Sequence, residues 1–250
     1  MTLSSLGWDD FFENAFPPFA AAGLLPARVA LEPKHAYELL DPTGTLTARC
    51  TGKLLHTAAA RDDLPAVGDW VAVRVRPGEP HADIHAVFPR RTKFSRPAAG
   101  DEAIEQIVAT NVDTVILVTA LDQNFNLRRI ERYLAVAWES GAQPVVVLNQ
   151  ADLHANPDDA RAEVQTIAPG APVVTLSATR GDGLDALASW LLPGRTLALL
   201  GSSGVGKSTL INRLLGVDRQ ATGAISGAVG KGRHTTTQRE LIVAPSGAIV

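Results

Sequence analysis

The 250-residue sequence predicts an α/β domain with a mostly parallel sheet, preceded by a small all-β barrel of the oligonucleotide-binding (OB) type. Three observations support this prediction. Short β-rich runs separated by turn signals occupy residues 28–88, helical and strand-like segments alternate from residue 101 onward, and a glycine-rich loop with a phosphate-binding pattern follows a later strand. A chain of this length can bury two modest hydrophobic cores, so we expect two folded domains.

The composition excludes several classes of protein. A hydrophobic content of 46%, a charged content of 20% and a net charge of −3 are typical of a globular protein and disfavour nonspecific coating of nucleic acid, although they allow a local basic patch. No run reaches the roughly 18 apolar residues of a membrane helix, and residues 1–19 lack the basic start of a secretory signal. We therefore expect a cytoplasmic protein that acts without a membrane. We also expect it to be a monomer. The single cysteine, Cys50, should be a small buried strand residue.

Five β-rich runs predict the barrel. They are Arg28–Glu32, His35–Leu40, Thr45–Leu55, Trp70–Val75 and Ala82–Phe88. Proline and glycine in Asp41-Pro42-Thr43-Gly44 and Arg76-Pro77-Gly78 supply the backbone angles that tight reversals require. The OB fold is the commonest five-stranded barrel of this kind. We place an N-terminal extension at residues 1–27, the barrel at 28–93 and the α/β domain at 94–250.

The α/β domain is predicted to begin with a helix at Glu102–Thr110 and a buried strand at Thr114–Thr119, whose β-branched run is typical of a parallel sheet. A second helix should start after Asn126 as its N-cap and end at Gly141. Its apolar residues recur at helical spacing and should all face the core. They are Leu127, Ile130, Leu134 and Trp138.

Three further strands, Pro144–Leu148, Pro172–Leu176 and Arg195–Leu200, are each followed directly by a polar motif. Ligands on parallel α/β sheets bind beyond the carboxyl ends of the strands, so these motifs should meet in one crevice.

The motif after the third of these strands is a complete phosphate-binding loop, Gly-x4-Gly-Lys-Ser. The predicted contact residues are Gly201, Ser202, Ser203, Gly204, Val205, Gly206, Lys207, Ser208 and Thr209. The glycines let backbone N–H groups turn toward phosphates, and the following helix N-terminus favours anions. We expect Lys207 to bridge the β- and γ-phosphates in catalysis and Ser208 to ligate Mg²⁺.

The motifs after the other two strands predict a guanine site. In the first, Asn149-Gln150-Ala151-Asp152, the Asp152 carboxylate can accept both the N1–H and the amine of guanine, and adenine offers no such pair. Asn149 should contact the base edge and tie its loop to the phosphate loop. Gln150 stands where GTPases usually have lysine. In the second, Ser177-Ala178-Thr179, a backbone N–H should meet the guanine carbonyl.

The order of these motifs indicates a circularly permuted P-loop GTPase domain, because the guanine motif precedes the phosphate loop in the chain. The later segment Gly232–Thr237 should be the switch loop that supplies a threonine to Mg²⁺ and the γ-phosphate. Thr235, Thr236 and Thr237 are all candidates, and we favour Thr236 as the metal-binding and catalytic residue. His234 is expected to be structural or solvent-facing.

Together with Asn111-Val112-Asp113 and the run from Asn126 to Leu134, these motifs resemble the ribosome small-subunit-dependent GTPase A family over about Arg28 to Val250. The resemblance implies a GTP hydrolase, stimulated by the small ribosomal subunit, whose hydrolysis controls rRNA and subunit binding and release during late subunit maturation. It also implies an Asp-x-x-Gly switch element and one Zn²⁺ in a C-terminal region that this chain does not contain. Without them, a chain ending at Val250 should bind nucleotide poorly and hydrolyse it slowly.

The basic segment between the predicted domains has two interpretations. On charge alone it is a solvated linker. The family resemblance instead favours contact with rRNA through its four cations, Arg90, Arg91, Lys93 and Arg96. An alternative function is a nucleotide-dependent RNA-binding module whose hydrolysis is incidental, whereas Asp152 disfavours an ATP-using kinase.

Overall fold

The computed structural model describes residues 1–32, 36–98, 101–123, 125–216 and 239–250. They form two compact units. The first contains residues 1–112 with 239–242 and 249, and the second contains residues 113–216 with 243–248 and 250.

The first unit is built on the predicted closed five-stranded barrel, with strand order β1-β2-β3-β5-β4. Its strands are β1 Leu25–Leu31, β2 Tyr37–Asp41, β3 Gly44–Cys50, β4 Trp70–Val75 and β5 His81–Val87. The third predicted run is too long, because β3 ends at Cys50 and Thr51 caps a short helix, α3 Gly52–Thr57. Cys50 lies on a strand as predicted but is only half-buried.

The barrel core follows the two-residue period of its strands, since alternate side chains point inward. The buried residues are Ala27, Val29, Leu39, Leu46, Ala48, Val71, Val73, Ala82 and Ile84. The other face of β4 is also covered. Helices α1 Asp10–Ala15 and α2 Pro17–Ala21 belong to an N-terminal segment whose Trp8 ring lies 4.8 Å from the ring of Trp70.

The predicted helix at Glu102–Thr110 is wrong. Residues Asp101–Thr110 form strand β7, which pairs antiparallel with β6 Lys93–Ala98. Isoleucines at 104 and 107 have helical spacing, but isoleucine, valine and threonine also favour strands, and the choice depends on whether a pairing partner is present. Here β6 supplies that partner.

The second unit contains a four-stranded parallel sheet with strand order β10-β9-β8-β11. The strands are β8 Thr114–Ala120, β9 Gln143–Asn149, β10 Val173–Thr175 and β11 Leu197–Leu200, and the helices are α4 Leu127–Glu139, α5 Pro157–Ile167 and α6 Lys207–Leu215. The near-continuous burial of β8 confirms the prediction that this strand is covered on both faces, and β9 shows the same pattern of burial.

Helix α4 starts as predicted, because the Asn126 side chain accepts a hydrogen bond from the Arg129 N–H at 3.0 Å. Its buried face consists of Ile130, Leu134 and Ala137. The prediction that Trp138 is core is wrong, since this side chain is 46% exposed. Position 138 lies about 80° around the helix from Ile130 at 100° per residue, and the small Ala137 occupies the core-facing position instead.

Candidate functional site

The parallel sheet brings the predicted motifs to one edge. Asn149 ends β9, Ser177 follows shortly after β10, and Gly201 follows β11. Because the three strands run in the same direction, their carboxyl ends lie at the same side of the sheet. The three predicted motifs therefore meet at one edge of the sheet in the second unit, where Asn149 contacts both other motifs.

The phosphate loop fits closely against the neighbouring strands. A Cβ at Gly201 would collide with the Val118 carbonyl, and a Cβ at Gly206 would collide with the side-chain nitrogen of Asn149. Gly206 also has a φ of 90°, a left-handed conformation that glycine tolerates, and it is the N-cap of α6. These two glycines are required for packing and backbone geometry.

Lys207 points back over this loop. Its Nζ donates hydrogen bonds to the carbonyls of Gly201 at 2.9 Å and Ser202 at 2.6 Å. The ammonium is half-buried, and this burial lowers the pKa of Lys207 below its usual value. Ser208 and Thr209 follow in the first turn of α6, where unpaired N–H groups and the helix dipole favour an anion.

Asn149 connects three segments of the site. Its side chain is 2% exposed, its Nδ2 donates to the Val205 carbonyl at 2.8 Å, and its Oδ1 accepts from the Ala178 N–H at 2.9 Å. The predicted tie between the Asn149 loop and the phosphate loop is therefore present. The Ala178 N–H is already bonded to Asn149 in this arrangement, so a guanine carbonyl would have to compete for it.

The rest of the guanine motif is open to solvent. Gln150 has a left-handed φ of 62°, and its Nε2 lies 3.5 Å from the Gly204 carbonyl, at the limit of a hydrogen bond. Asp152 lies in the exposed 3-10 turn Ala151–Leu153, and its carboxylate makes no hydrogen bond or ion pair with the residues that the structure describes. That carboxylate is available as an acceptor.

Two arginines at the site were missed by the sequence reasoning. Arg213, in α6, donates from Nε to the Ala178 carbonyl at 3.0 Å and also bonds the Thr179 carbonyl. Arg129, in α4, donates to the Ser202 hydroxyl at 3.3 Å. Both contacts join residues far apart in the chain, and no local motif marks them.

The predicted switch loop, including Thr235, Thr236 and Thr237, lies outside the described residues. Within the described ranges, no group of three or more His, Cys, Asp or Glu side chains could hold a metal ion. None of the helices in the described part of the chain has the length and apolar character needed to span a bilayer.

Two of the four predicted RNA-binding cations, Arg90 and Arg91, make ion pairs within the first unit. Arg90 is bound inside the first unit, where its Nε and Nη2 donate to the two carboxylate oxygens of Asp69 at 2.8 and 2.7 Å and its other N–H groups bond the carbonyls of Asp62 and Leu64. Such contacts occupy the guanidinium. Arg90 therefore serves as an internal brace of the barrel unit, a role that the sequence did not indicate.

Arg91 is also committed to the fold. It pairs with Asp9, and its guanidinium lies 5.3 Å from the ring centre of Phe11 and 5.4 Å from that of Phe12. Lys93 begins β6 and is half-buried, and the Arg96 side chain lies outside the described residues.

Removing the Asp69 carboxylate should destabilise the first unit. Asp69 is fully buried, its side chain also accepts the Ala66 N–H, and Arg90 is only 16% exposed, so Asp69→Ala leaves a buried cation without its partner. We expect a loss of about 3–5 kcal/mol in the free energy of unfolding, measured by urea denaturation. Asp83→Ala, which breaks the solvent-exposed pair with Arg76, is the control and should have a much smaller effect.

A phosphate loop at the end of one parallel strand, preceded in the chain by its guanine-reading loop, defines the class of circularly permuted P-loop GTPases. The RsgA GTPase family model matches residues 87–250. A protein of Opitutus terrae named small ribosomal subunit biogenesis GTPase RsgA is 66% identical over the whole chain, which spans 70% of that relative. The chain therefore belongs to the RsgA GTPase family.

Solved structures agree with this fold. The crystal structure of YjeQ from Thermotoga maritima matches with a TM-score of 0.66 and 25% identity, over 90% of this chain and 73% of that one. YloQ, described as a circularly permuted GTPase, matches with a TM-score of 0.61 over 90% of this chain and 69% of that one, and at 20% identity this likeness concerns the fold alone.

Proposed function

We propose that the protein is a GTPase that assists late maturation of the small ribosomal subunit, with GTP hydrolysis controlling its binding to rRNA and its release. The enzymatic part rests on Asn149, which fastens the phosphate loop to both guanine-site segments through two buried hydrogen bonds. The ribosomal part rests on the relative with 66% identity, which is named for that process.

The phosphates would be held by residues 201–209. Backbone N–H groups of the loop and the start of α6 would face the anion, and the Lys207 ammonium is held at the loop by the carbonyls of Gly201 and Ser202. Because Lys207 is half-buried, its attraction for phosphate charge is screened less than it would be at the surface. These groups stabilise the charge that develops during phosphoryl transfer.

The Ser208 hydroxyl is suited to act as a ligand of Mg²⁺. It is an oxygen donor in the first turn of α6, and it makes no hydrogen bond with any residue in the described ranges. Mg²⁺ prefers oxygen ligands and commonly combines one or two protein groups with substrate phosphates and water. When bound with GTP, the ion neutralises negative charge on the phosphates. Thr236 remains our proposal for a second ligand.

Guanine would be selected by Asp152, whose exposed carboxylate has no other partner among the described residues. Asn149, three residues earlier in the same motif, is fastened to the phosphate loop at the Val205 carbonyl. Ser177 and Ala178 complete the proposed base pocket.

RNA binding is proposed for the barrel unit, with Lys93 and Arg96 as contacts. Arg90 supports this surface indirectly, because its guanidinium is engaged with the buried Asp69. Reversing the charge of Arg90 would therefore disrupt the fold, so a loss of RNA binding in that variant would not identify a phosphate contact. Arg91 pairs with Asp9 at the surface and stays a proposed RNA contact. The proposed ribosomal partner also implies a cytoplasmic location. Zinc binding by a C-terminal region, and the monomeric state, remain predictions from the resemblance.

The double variant Lys93→Glu and Arg96→Glu should weaken binding to isolated small subunits most strongly at low salt. Each lost phosphate contact should reduce the slope of log affinity against log salt by about 0.7 to 0.9. Binding would be measured by cosedimentation at several salt concentrations. The affinity for GTP should be the same in the double variant and in the parent. The charge-matched control is Arg132→Glu with Arg161→Glu, two exposed positions of the second unit. Equal slopes for the double variant and the parent would indicate that Lys93 and Arg96 of strand β6 make no phosphate contacts.

The enzymatic proposal is tested by measuring GTP turnover of the full-length protein with and without isolated small subunits. Stimulation of many-fold supports a GTPase controlled by the subunit. Equal turnover in both conditions would favour the alternative, an RNA-binding module whose hydrolysis is incidental.

A further inference from the structure

Helix α4 places a cation against the phosphate loop. Arg129 is the third residue of the helix, and its backbone N–H is capped by Asn126, which fixes the first turn. From that turn its Nη1 donates to the hydroxyl of Ser202 at 3.3 Å. The contact spans 73 residues of sequence.

The environment of Arg129 is unusual for a cation. It is half-buried, while the charged residues around it on the same helix, Arg128, Glu131 and Arg132, are exposed. Within the described ranges its side chain bonds a neutral hydroxyl and no carboxylate lies within ion-pair distance. Withdrawing a charge from water is unfavourable unless an opposite charge compensates it. The geometry therefore suits an anion that arrives with the ligand.

Lys207 is also a half-buried cation, and it contacts the same residue as Arg129, which is Ser202. Its Nζ donates to the Ser202 carbonyl at 2.6 Å, whereas Arg129 donates to the Ser202 hydroxyl. Lys207 is also half-buried, and its described partners are carbonyls. Two half-buried cations from different helices thus converge on one residue of the phosphate loop.

We infer that Arg129 is a second phosphate-recognition residue, which contacts the terminal phosphate of GTP and makes the site prefer the triphosphate over GDP. The inference rests on the proposed function of the loop. Lysine in this motif acts at the boundary of the β- and γ-phosphates, so a cation beside it adds most to the attraction for the γ-phosphate. A guanidinium has five N–H donors, and one bond to Ser202 leaves others for phosphate oxygens.

The test compares the affinity of the full-length protein for GDP and for a GTP analogue with an imido bridge between its β- and γ-phosphates, by titration calorimetry with magnesium present. Arg129→Gln removes the charge and keeps an amide donor on a shorter side chain. We expect the affinity for the analogue to fall about tenfold to a hundredfold, as for loss of a charge-assisted hydrogen bond, and the affinity for GDP to change less than about twofold. Arg128→Gln, exposed in the same turn, is the matched control and should leave both affinities unchanged.

The outcomes separate a phosphate-binding role from a structural one. If Arg129 only docks α4 on the loop, Arg129→Gln and Arg129→Ala should weaken both nucleotides equally and lower the melting temperature, and that result overturns the inference. An unchanged preference for the analogue in Arg129→Gln overturns it while leaving the proposed function intact. A parent protein that binds neither nucleotide contradicts the proposed function itself.

Discussion

Replacing Lys207 with alanine is expected to lower GTP turnover at least about a hundredfold, the scale observed when a preorganised electrostatic group is deleted from a transition-state site. The ammonium is held over the phosphate loop by the carbonyls of Gly201 and Ser202, so no reorganisation is needed when charge develops. Its half-buried position makes that charge more effective than an exposed one. Turnover would be measured as phosphate release at saturating GTP with isolated small subunits.

Two further variants test the interpretation of Lys207→Ala. Lys53→Ala removes an exposed lysine of α3 and should leave turnover unchanged, which controls for net charge. Ser208→Ala should also slow turnover and raise the magnesium concentration needed for half-maximal rate, because it removes a proposed oxygen ligand. Turnover at the parent rate in both Lys207→Ala and Ser208→Ala would exclude the phosphate loop from the mechanism.

Much of the fold could be predicted because its signals are local. The two-residue period of the barrel strands and the apolar runs of β8 and β9 show in the sequence which residues each strand buries. The capping side chain of Asn126 likewise acts within one turn of its helix. Such features are present in the sequence itself.

The wrong predictions concern residues whose structure depends on a contact with a distant part of the chain. Residues Asp101–Thr110 are a strand because β6 pairs with them. In the sequence Arg90 resembles a solvated cation, but in the structure it pairs with Asp69, which lies 21 residues earlier. A local pattern contains no information about any of these contacts.

The candidate site divides in the same way. The phosphate and guanine motifs were recognised because each motif is contiguous and follows a strand. The groups that fasten those motifs together, Arg213 at the Ser177 loop and Arg129 at Ser202, belong to other helices and contact residues 34 or more positions away. Their roles follow from the parallel sheet, which aligns segments that are far apart in the chain.

Asp152→Asn is expected to exchange the base preference of the site. The exposed carboxylate of Asp152 has no competing partner among the described residues and can accept the N1–H and the amine of guanine together. An asparagine supplies one acceptor and one donor, which match the N1–H and the ring carbonyl of xanthine. GTP affinity should fall about a hundredfold or more, because the introduced amide N–H faces the guanine amine and neither donor then has an acceptor in the complex.

The measurement is competition of GTP, xanthosine triphosphate and ATP against a fluorescent guanine nucleotide, on the full-length parent and the variant. The parent should prefer GTP and the variant xanthosine triphosphate, with ATP weak for both because adenine lacks the donor pair. Asp158→Asn, an exposed carboxylate in the first turn of α5, is the matched control and should keep the parent's preference. The assignment of Asp152 fails if the parent binds ATP as tightly as GTP, because a carboxylate reading guanine cannot accept adenine equally well.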